Sequence, residues 1–331
     1  MDMKIITALL LFVSSSLFAQ NKLEPLDQHL TTVIYPYPVQ MFTFKSQGQL
    51  LSMAYMDVKP EKYNGKNILL LHGKNFNGAY WETTIQELNK KGYRVVVPDQ
   101  IGFGKSSKPA HYQYSFHQLS ANTKLILDSL GIDRTTVLGH SMGGMLATRF
   151  ALLFPGMTEK LILENSIGLE DYKTLTSWQT VNKAFEAELK NTYESYKKYQ
   201  MNFYYDNKWK PEYDRWLNML AGWTLHEDYP IIAWNAALTS DIIMTQPVVH
   251  EFKELNVPTL LIVGTRDRTA IGKDRAPKEN QPKMGLYNEL GKKTQKLIPD
   301  SKLVEFENIG HMPHIESFDL FFAALSGFLD E

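Results

Sequence analysis

The hexapeptide Gly-His-Ser-Met-Gly-Gly at residues 139–144 constrains this chain more than any other feature. It follows a short apolar run, 136–138, and precedes an apolar helical pattern, 145–153. Glycines two residues before and two residues after Ser141 let the backbone turn sharply from a strand into a helix, so that the hydroxyl projects from the strand end. We interpret the segment as a nucleophile elbow. The alternative is a glycine-rich turn with a solvated serine.

A serine hydroxyl is a poor nucleophile at neutral pH unless a base lies within hydrogen-bond reach and a third group orients that base. Asp267 follows the apolar run 260–263, and His311 follows the last apolar run, 302–306. Both therefore stand at the carboxyl ends of predicted strands, on the same edge of the sheet as Ser141. Their order along the chain, Ser, Asp, His, is the one expected for this architecture.

Each of the two partners has a rival. His314 stands three residues after His311, but it follows Pro313 and belongs to the start of the closing helix, so His311 is preferred. Glu164 directly follows an apolar run and is the alternative to Asp267 as the orienting acid. Both rivals remain open at this point.

Three further polar residues are interpreted as scaffold. Asp99 follows a predicted strand and begins the segment 99–106, which is typical of a structural turn beside a site. His72 and His140 flank the region where an oxyanion would bind, and we expect them to be hydrogen-bonded rather than to carry protons.

The oxyanion of a tetrahedral intermediate requires backbone donors. One is expected to be the N–H of Met142, because the dipole at a helix start also favours negative charge. The second is expected from the loop 72–78, which follows a predicted strand. Lys74 is the first choice there, and Asn75 is the alternative.

Short runs rich in Ile, Val and Leu alternate with amphipathic helical patterns along most of the chain. Buried parallel strands are predicted at 67–71, 93–97, 136–138, 160–163, 258–263 and 302–306. Two earlier runs, 39–44 and 50–56, predict a hairpin-like start, and helices are predicted at 81–90, 115–130 and 317–329. Such alternation predicts an α/β fold with a mostly parallel, eight-stranded sheet covered on both faces.

One stretch, 166–250, lacks any buried-strand pattern. It holds five of the six tryptophans and a cluster of tyrosines. We interpret it as a helical cap inserted between the core segments 20–165 and 251–331. Its aromatic residues either form the insert's own core or line an apolar pocket above the serine.

The N-terminus predicts a signal peptide over residues 1–19. Lys4 supplies the positive charge, 5–13 the apolar core and 14–19 a small-residue exit, with cleavage expected after Ala19. A retained membrane anchor is the alternative. The protein is therefore expected to be exported, as a periplasmic or secreted protein without stable membrane insertion.

Composition excludes several classes of function. The chain of 331 residues has no cysteine, which excludes disulfides, thiolate chemistry and thiolate metal sites. Its net charge of −1 gives no overall attraction to nucleic acid. The sequence has no phosphate loop, metal-ligand spacing or dinucleotide fingerprint, so neither cofactor nor metal is expected. The run 266–283 is basic; it either draws an anionic substrate to the site or is a solvated loop.

Taken together, the segments 72–73, 99–106, 139–144, 264–267 and 310–311 resemble the α/β-hydrolase fold family, in particular its capped serine esterases and hydrolases. The resemblance covers residues 38–329. It implies a Ser–Asp–His triad, no cofactor and a helical cap that shapes the pocket. Serine at the elbow counts against haloalkane dehalogenases and epoxide hydrolases, where aspartate holds that position.

The expected function is hydrolysis of a small-molecule carboxylic ester with an apolar part. The same triad also serves lactone, amide or carbon–carbon bond hydrolysis, and the sequence does not separate these. A ligand-binding module without turnover is the remaining alternative.

Overall fold

The computed structural model describes residues 23–331, and the predicted signal peptide lies outside them. The strands are β1 (Val39–Ser46), β2 (Gln49–Val58), β3 (Asn67–Leu71), β4 (Arg94–Pro98), β5 (Thr135–His140), β6 (Thr158–Glu164), β7 (Thr259–Gly264) and β8 (Ser301–Phe306). The helices are α1 (Glu82–Lys90), α2 (Phe116–Ser129), α3 (Met142–Leu153), α4 (Val181–Glu188), α5 (Tyr193–Phe203), α6 (Asp214–Trp223), α7 (Tyr229–Thr245), α8 (Tyr287–Leu297), α9 (Pro313–Glu316) and α10 (Phe318–Asp330).

The eight strands form one sheet in the order β1-β2-β4-β3-β5-β6-β7-β8. β1 pairs with β2, and β2 with β4, in antiparallel register, whereas all pairs from β4 onward are parallel. The predicted α/β fold with a mostly parallel, eight-stranded sheet is therefore confirmed. Strand β5 lies in the middle of the sheet, between β3 and β6. The residue after β5, Ser141, therefore lies between the carboxyl ends of these two strands.

The sheet is buried on both faces, as its continuous apolar strands predict. Leu69 and Leu71 of β3 contact one apolar layer, and Ile68 and Leu70 contact the other. All four side chains are fully buried. This alternation follows from the period of two along a strand, and it fixes β3 and its neighbours as the rigid platform of the molecule.

The strand β5 is longer than the sequence predicts. The predicted run ends at residue 138, but Gly139 and His140 continue the ladder by pairing with Leu163 and Glu164 of β6. Strand β5 is therefore paired with β6 up to its last residue, His140, and Ser141 is the first residue after the strand. A glycine and a histidine carry little strand propensity, so the pairing with β6 decides the boundary.

The helices α4 to α7 all lie between β6 and β7, in the stretch for which the sequence predicts a helical insertion. We call residues 166–250 the helical insert. None of the helices in residues 23–331 combines the length and apolarity needed to cross a membrane.

The segment 23–37 connects the helical insert to the sheet. The N–H of Leu26 donates to the carbonyl oxygen of Gly222 (3.0 Å), and the indole N–H of Trp223 donates to the carbonyl oxygen of Asp27 (3.0 Å). Further along, the Tyr35 hydroxyl donates to the Asp99 carboxylate (2.8 Å). We call this segment the N-terminal strap, because it bonds to α6 at one end and to the turn after β4 at the other.

Candidate active site

Ser141 adopts a backbone conformation that few non-glycine residues adopt, with φ 56° and ψ −120°. The turn requires the two neighbouring glycines for steric reasons. A Cβ on Gly139 would collide with the carbonyl group of Gly143, and a Cβ on Gly143 would collide with the carbonyl oxygen of Leu71. Strained non-glycine residues of this kind cluster at functional sites. Strand β5 and helix α3 therefore meet at a sharp bend that presents the Ser141 side chain.

The three residues of the predicted triad lie in one hydrogen-bonded line. The Ser141 hydroxyl donates to Nε2 of His311 (3.0 Å), and Nδ1–H of His311 donates to Oδ2 of Asp267 (2.6 Å). His311 and Asp267 are fully buried, and Ser141 is 7% exposed. The imidazole therefore joins the hydroxyl to the carboxylate through its two different nitrogens.

The Asp267 carboxylate is held by more than the imidazole. Its Oδ2 also accepts from the side-chain amide of Asn165 (2.8 Å), and its Oδ1 accepts from the N–H of Thr269 (2.8 Å). Burial by itself would raise the pKa of Asp267, but the interaction with His311 and the hydrogen bonds from His311 and Thr269 outweigh it and lower that pKa. The acid therefore stays ionised.

Asn165 was missed by the sequence analysis. Its Oδ1 accepts from the N–H of Gly264 (2.8 Å) while its amide donates to Asp267, so it joins the ends of β6 and β7. The available signal was its position directly after β6, at the same sheet edge as the triad. An asparagine at that position does not belong to any sequence motif that would identify it as part of a site.

Tyr204, at the end of α5, is a second residue that the sequence did not single out. Its ring stacks on the imidazole of His311 with a centroid distance of 4.5 Å and an angle of 26°. It is buried and contributes to the same cavity as Ser141. The helical insert thus covers one face of the histidine.

The two rival residues, Glu164 and His314, pair with each other instead of joining the triad. Oε1 of Glu164 accepts from Nδ1–H (2.8 Å) and from the backbone N–H (2.9 Å) of His314. The His314 ring stacks on Trp81 (4.4 Å) and meets Tyr80 edge-on (4.7 Å). Because these rings cover it and it is fully buried, this acid–imidazole pair has no access to a substrate.

Burial sets the ionisation of this second pair. It raises the pKa of Glu164 to about 7 and lowers the pKa of His314 well below its usual value. Oε2 of Glu164 and Nε2 of His314 have no hydrogen-bond partner among residues 23–331. Both shifts favour the uncharged form of each group, which suits a site enclosed by aromatic rings.

His140 lies in a chain of hydrogen bonds that links three loops. The N–H of Gly73 donates to the Tyr80 hydroxyl (2.9 Å), which donates to Nδ1 of His140 (3.1 Å). Nε2–H of His140 then donates to the carbonyl oxygen of His311 (2.8 Å). Burial and the nearby His311 lower the pKa of His140 well below its usual value, so the ring is neutral, as the chain requires.

His72 and Asp99 also have local structural partners. Nδ1–H of His72 donates to the Gly73 carbonyl (2.9 Å), and Nε2 accepts from the N–H of Gln100 (3.0 Å). The Asp99 carboxylate accepts from the N–H groups of Gly78 (2.7 Å) and Lys105 (2.8 Å). These bonds tie the loop after β3 to the turn after β4.

The candidate oxyanion donors lie on two sides of Ser141. Met142 is the first residue of α3, and Lys74 follows β3. Neither backbone N–H donates to a protein acceptor within residues 23–331. Asn75, the alternative, has a positive φ of 68° and lines the same cavity as Lys74.

Ser141 lines a cavity of about 350 Å³, which we call the serine chamber. Its walls include Lys74 and Asn75 from the loop after β3, Tyr204 from the helical insert and Thr269 from the loop after β7. A second cavity of about 430 Å³, which we call the side chamber, lies between α4, α7 and the loop after β7. The two chambers share seven lining residues: Glu188, Asn191, Tyr199, Ser240, Ala270, Ile271 and Asp274.

A partly buried ion pair lies in the wall of the serine chamber. Nζ of Lys74 is 3.2 Å from Oε1 of Glu188 and 3.2 Å from Oδ1 of Asn75. The other carboxylate oxygen of Glu188 accepts from the amide of Asn191 (2.9 Å), and its carbonyl oxygen accepts from the Tyr229 hydroxyl (2.6 Å). The pair joins the helical insert to the loop that carries the candidate oxyanion donor.

The basic run 266–283 divides into two parts. Arg266 pairs with Glu316 (2.6 Å) and also donates to the carbonyl oxygen of Tyr204 (3.0 Å). Lys273 and Arg275 line the side chamber. No group of three or more His, Asp or Glu side chains within residues 23–331 is arranged to hold a metal ion.

Comparison with known proteins places this geometry in a family. The sequence model of a family described as "alpha/beta hydrolase fold" matches residues 66–318. Among curated proteins, a 2-hydroxy-6-oxo-2,4-heptadienoate hydrolase of Pseudomonas putida is 34% identical over 108 residues, or 32% of this chain and 39% of that protein. Epoxide hydrolase 4 of Mus musculus is 42% identical over 99 residues, or 30% of this chain and 27% of that protein. The chain thus spans less than half the length of these curated relatives.

A solved structure covers far more of the chain. It is described as a "probable hydrolytic enzyme" of Pseudomonas aeruginosa, is 51% identical, and superposes with a TM-score of 0.92 over 93% of this chain and 99% of that one. The family match covers well over half of this sequence, and this structure matches it almost end to end. This chain belongs to the α/β-hydrolase fold family.

Proposed function

We propose that this protein is a serine hydrolase that cleaves carboxylic esters through an acyl-enzyme intermediate. The observation that carries the proposal is the line of two hydrogen bonds from the Ser141 hydroxyl through His311 to Asp267. A nucleophile, a base and an orienting acid within hydrogen-bond reach are what acyl transfer by serine requires. The serine chamber supplies space for a substrate beside the hydroxyl.

In the proposed mechanism, Ser141 attacks the ester carbonyl while Nε2 of His311 takes the hydroxyl proton. Asp267 keeps the imidazole in the tautomer with Nδ1 protonated and stabilises the imidazolium that forms. The backbone N–H groups of Met142 and Lys74 bind the oxyanion. His311 then protonates the leaving alcohol and activates the water that hydrolyses the acyl-enzyme.

The helical insert acts as the cap in this proposal. Tyr204 shields one face of His311 from solvent, and Glu188 contacts Lys74 from above. Excluding water strengthens the electrostatic interactions on which an oxyanion site depends.

A second candidate is cleavage of a bond beside a ketone carbonyl with the same three residues. It is favoured by the P. putida relative, whose name gives its substrate as an oxo-dienoate. Product analysis on a panel of esters, lactones and keto acids separates the two. Epoxide opening, named for the mouse relative, is not proposed, because serine stands where those enzymes carry aspartate.

The first prediction concerns the nucleophile. Replacing Ser141 with Ala should reduce ester turnover by about 10⁶-fold, because the acyl-enzyme can no longer form. An alkyl fluorophosphonate should label the natural protein at Ser141 and leave the variant unlabelled, as measured by mass spectrometry of the intact chain. Undiminished turnover by Ser141→Ala would falsify the mechanism.

The second prediction concerns the orienting acid. Replacing Asp267 with Asn should lower kcat by about 10⁴-fold, because the amide favours the wrong tautomer of His311. Since the pKa of Asp267 is already below its usual value, its titration should not shape the pH–rate profile above about pH 5.

Replacing the exposed Asp300 with Asn serves as the matched control for Asp267→Asn and should leave the pH–rate profile unchanged. A kcat of Asp267→Asn close to that of the control would show that another group orients the imidazole.

The third prediction concerns the ion pair in the serine chamber. Replacing Glu188 with Gln should lower kcat about tenfold with KM nearly unchanged, because a hydrogen bond to a charged group contributes about 1.5 kcal/mol and here steadies the Lys74 loop. Replacing Glu186 with Gln, on the exposed side of α4, should change neither constant. A Glu188→Gln effect on KM alone would contradict a positioning role.

We also propose that the protein is exported after removal of residues 1–19. N-terminal sequencing of the mature protein from its native host should then begin at Gln20. A chain that still carries the apolar run 5–13 would indicate a retained anchor instead.

A further inference from the structure

The side chamber adjoins the serine chamber, and the two share seven lining residues. Glu188 and Asn191 at the end of α4, Ser240 of α7 and Ile271 after β7 are among the seven residues that line both chambers. These shared residues bring the side chamber, of about 430 Å³, next to the space beside the Ser141 hydroxyl.

The walls found only in the side chamber are largely apolar. Val181, Ala184 and Ala187 of α4 contribute to the walls, as do Ala237 and Met244 of the neighbouring helix α7. Phe203 and Trp178 also line the chamber. Three alanines on two facing helices leave room where larger side chains would close the space.

Two of the charged groups in these walls have close partners within the protein, whereas Arg275 lies 3.9 Å from Asp274 and its Nε has no hydrogen-bond partner within residues 23–331. The Asp241 carboxylate accepts from the Trp178 indole N–H (2.8 Å), and Nζ of Lys273 donates to the carbonyl oxygen of Met284 (2.8 Å). The contacts that remain for a ligand are mainly with aliphatic and aromatic carbon. A chamber of this kind favours an apolar chain over a charged group.

We propose that the side chamber binds an extended apolar chain of the substrate, which makes esters with a medium-length chain, rather than acetates, the preferred substrate class. This inference rests on the proposed ester hydrolysis at Ser141. Burial of each methylene contributes about 0.8 kcal/mol, which corresponds to about a fourfold gain in kcat/KM per added methylene until the chamber is filled.

The test uses two neighbouring positions on α4. Ala187 lines the side chamber, and Glu186 beside it does not; both are exposed, so a tryptophan at either position leaves the core intact. We expect Ala187→Trp to lower kcat/KM for octanoate esters at least about tenfold and to leave acetate esters unchanged. Glu186→Trp should match the natural protein on both.

Two substrate series show which side of the ester carries the chain. p-Nitrophenyl esters from acetate to octanoate lengthen the acyl group, and alkyl acetates from ethyl to octyl lengthen the alcohol. At least one series should gain kcat/KM with length in the natural protein and lose that gain in Ala187→Trp. A flat response in both series, or equal behaviour of the two tryptophan variants, overturns the inference.

A binding measurement separates this inference from the proposed function. Calorimetry with octanoate, butanoate, octanol and butanol on Ser141→Ala measures ligand binding in the side chamber without turnover. An eight-carbon ligand should bind more tightly than its four-carbon counterpart, and adding Ala187→Trp should remove this difference. That result would support an apolar binding site in the side chamber even if no ester is hydrolysed. If ester hydrolysis is found but chain length affects neither binding nor turnover, only the chamber proposal is wrong.

Discussion

The close approach of three backbone segments beneath Ser141 is the constraint on which the rest of the site depends. Gly139 touches the first turn of α3, and Gly143 touches the carbonyl end of β3. Neither position has room for a Cβ, so both require glycine, and between them the backbone holds Ser141 at a positive φ. The same contacts place the end of β3, and hence the loop with Lys74, next to the start of α3. One steric requirement thus positions the hydroxyl and both candidate oxyanion donors.

The sequence was sufficient to predict this fold, and it singled out Ser141, Asp267 and His311 because each follows an apolar strand of a parallel sheet. The structure aligns these three residues by hydrogen bonds. The rule that polar residues after parallel strands meet at one sheet edge can be applied without knowing how distant segments pack. Tyr204 and Glu188 could not be found in this way, because they reach the site from helices whose placement over the sheet has no local sequence pattern. The end of β5 was also missed, since pairing with β6, rather than propensity, extends it.

The second acid–imidazole pair shows why residue types alone do not identify a site. Glu164 and His314 carry the same functional groups as Asp267 and His311, and both pairs lie near the carboxyl ends of strands. They differ in what faces the free imidazole nitrogen: Ser141 in one case, and an enclosure with the ring of Trp81 in the other. Access to a chamber is a property of packing across the whole sheet edge.

The N-terminal strap attaches the helical insert to the core in addition to the two chain connections and the Lys74–Glu188 pair. The insert is joined to β6 and β7 by the chain itself, and the strap adds bonds from α6 to the turn that holds Asp99. Any movement of α6 away from the sheet would have to break the bonds between this helix and the strap, or those between the strap and Asp99, so the strap opposes such a movement.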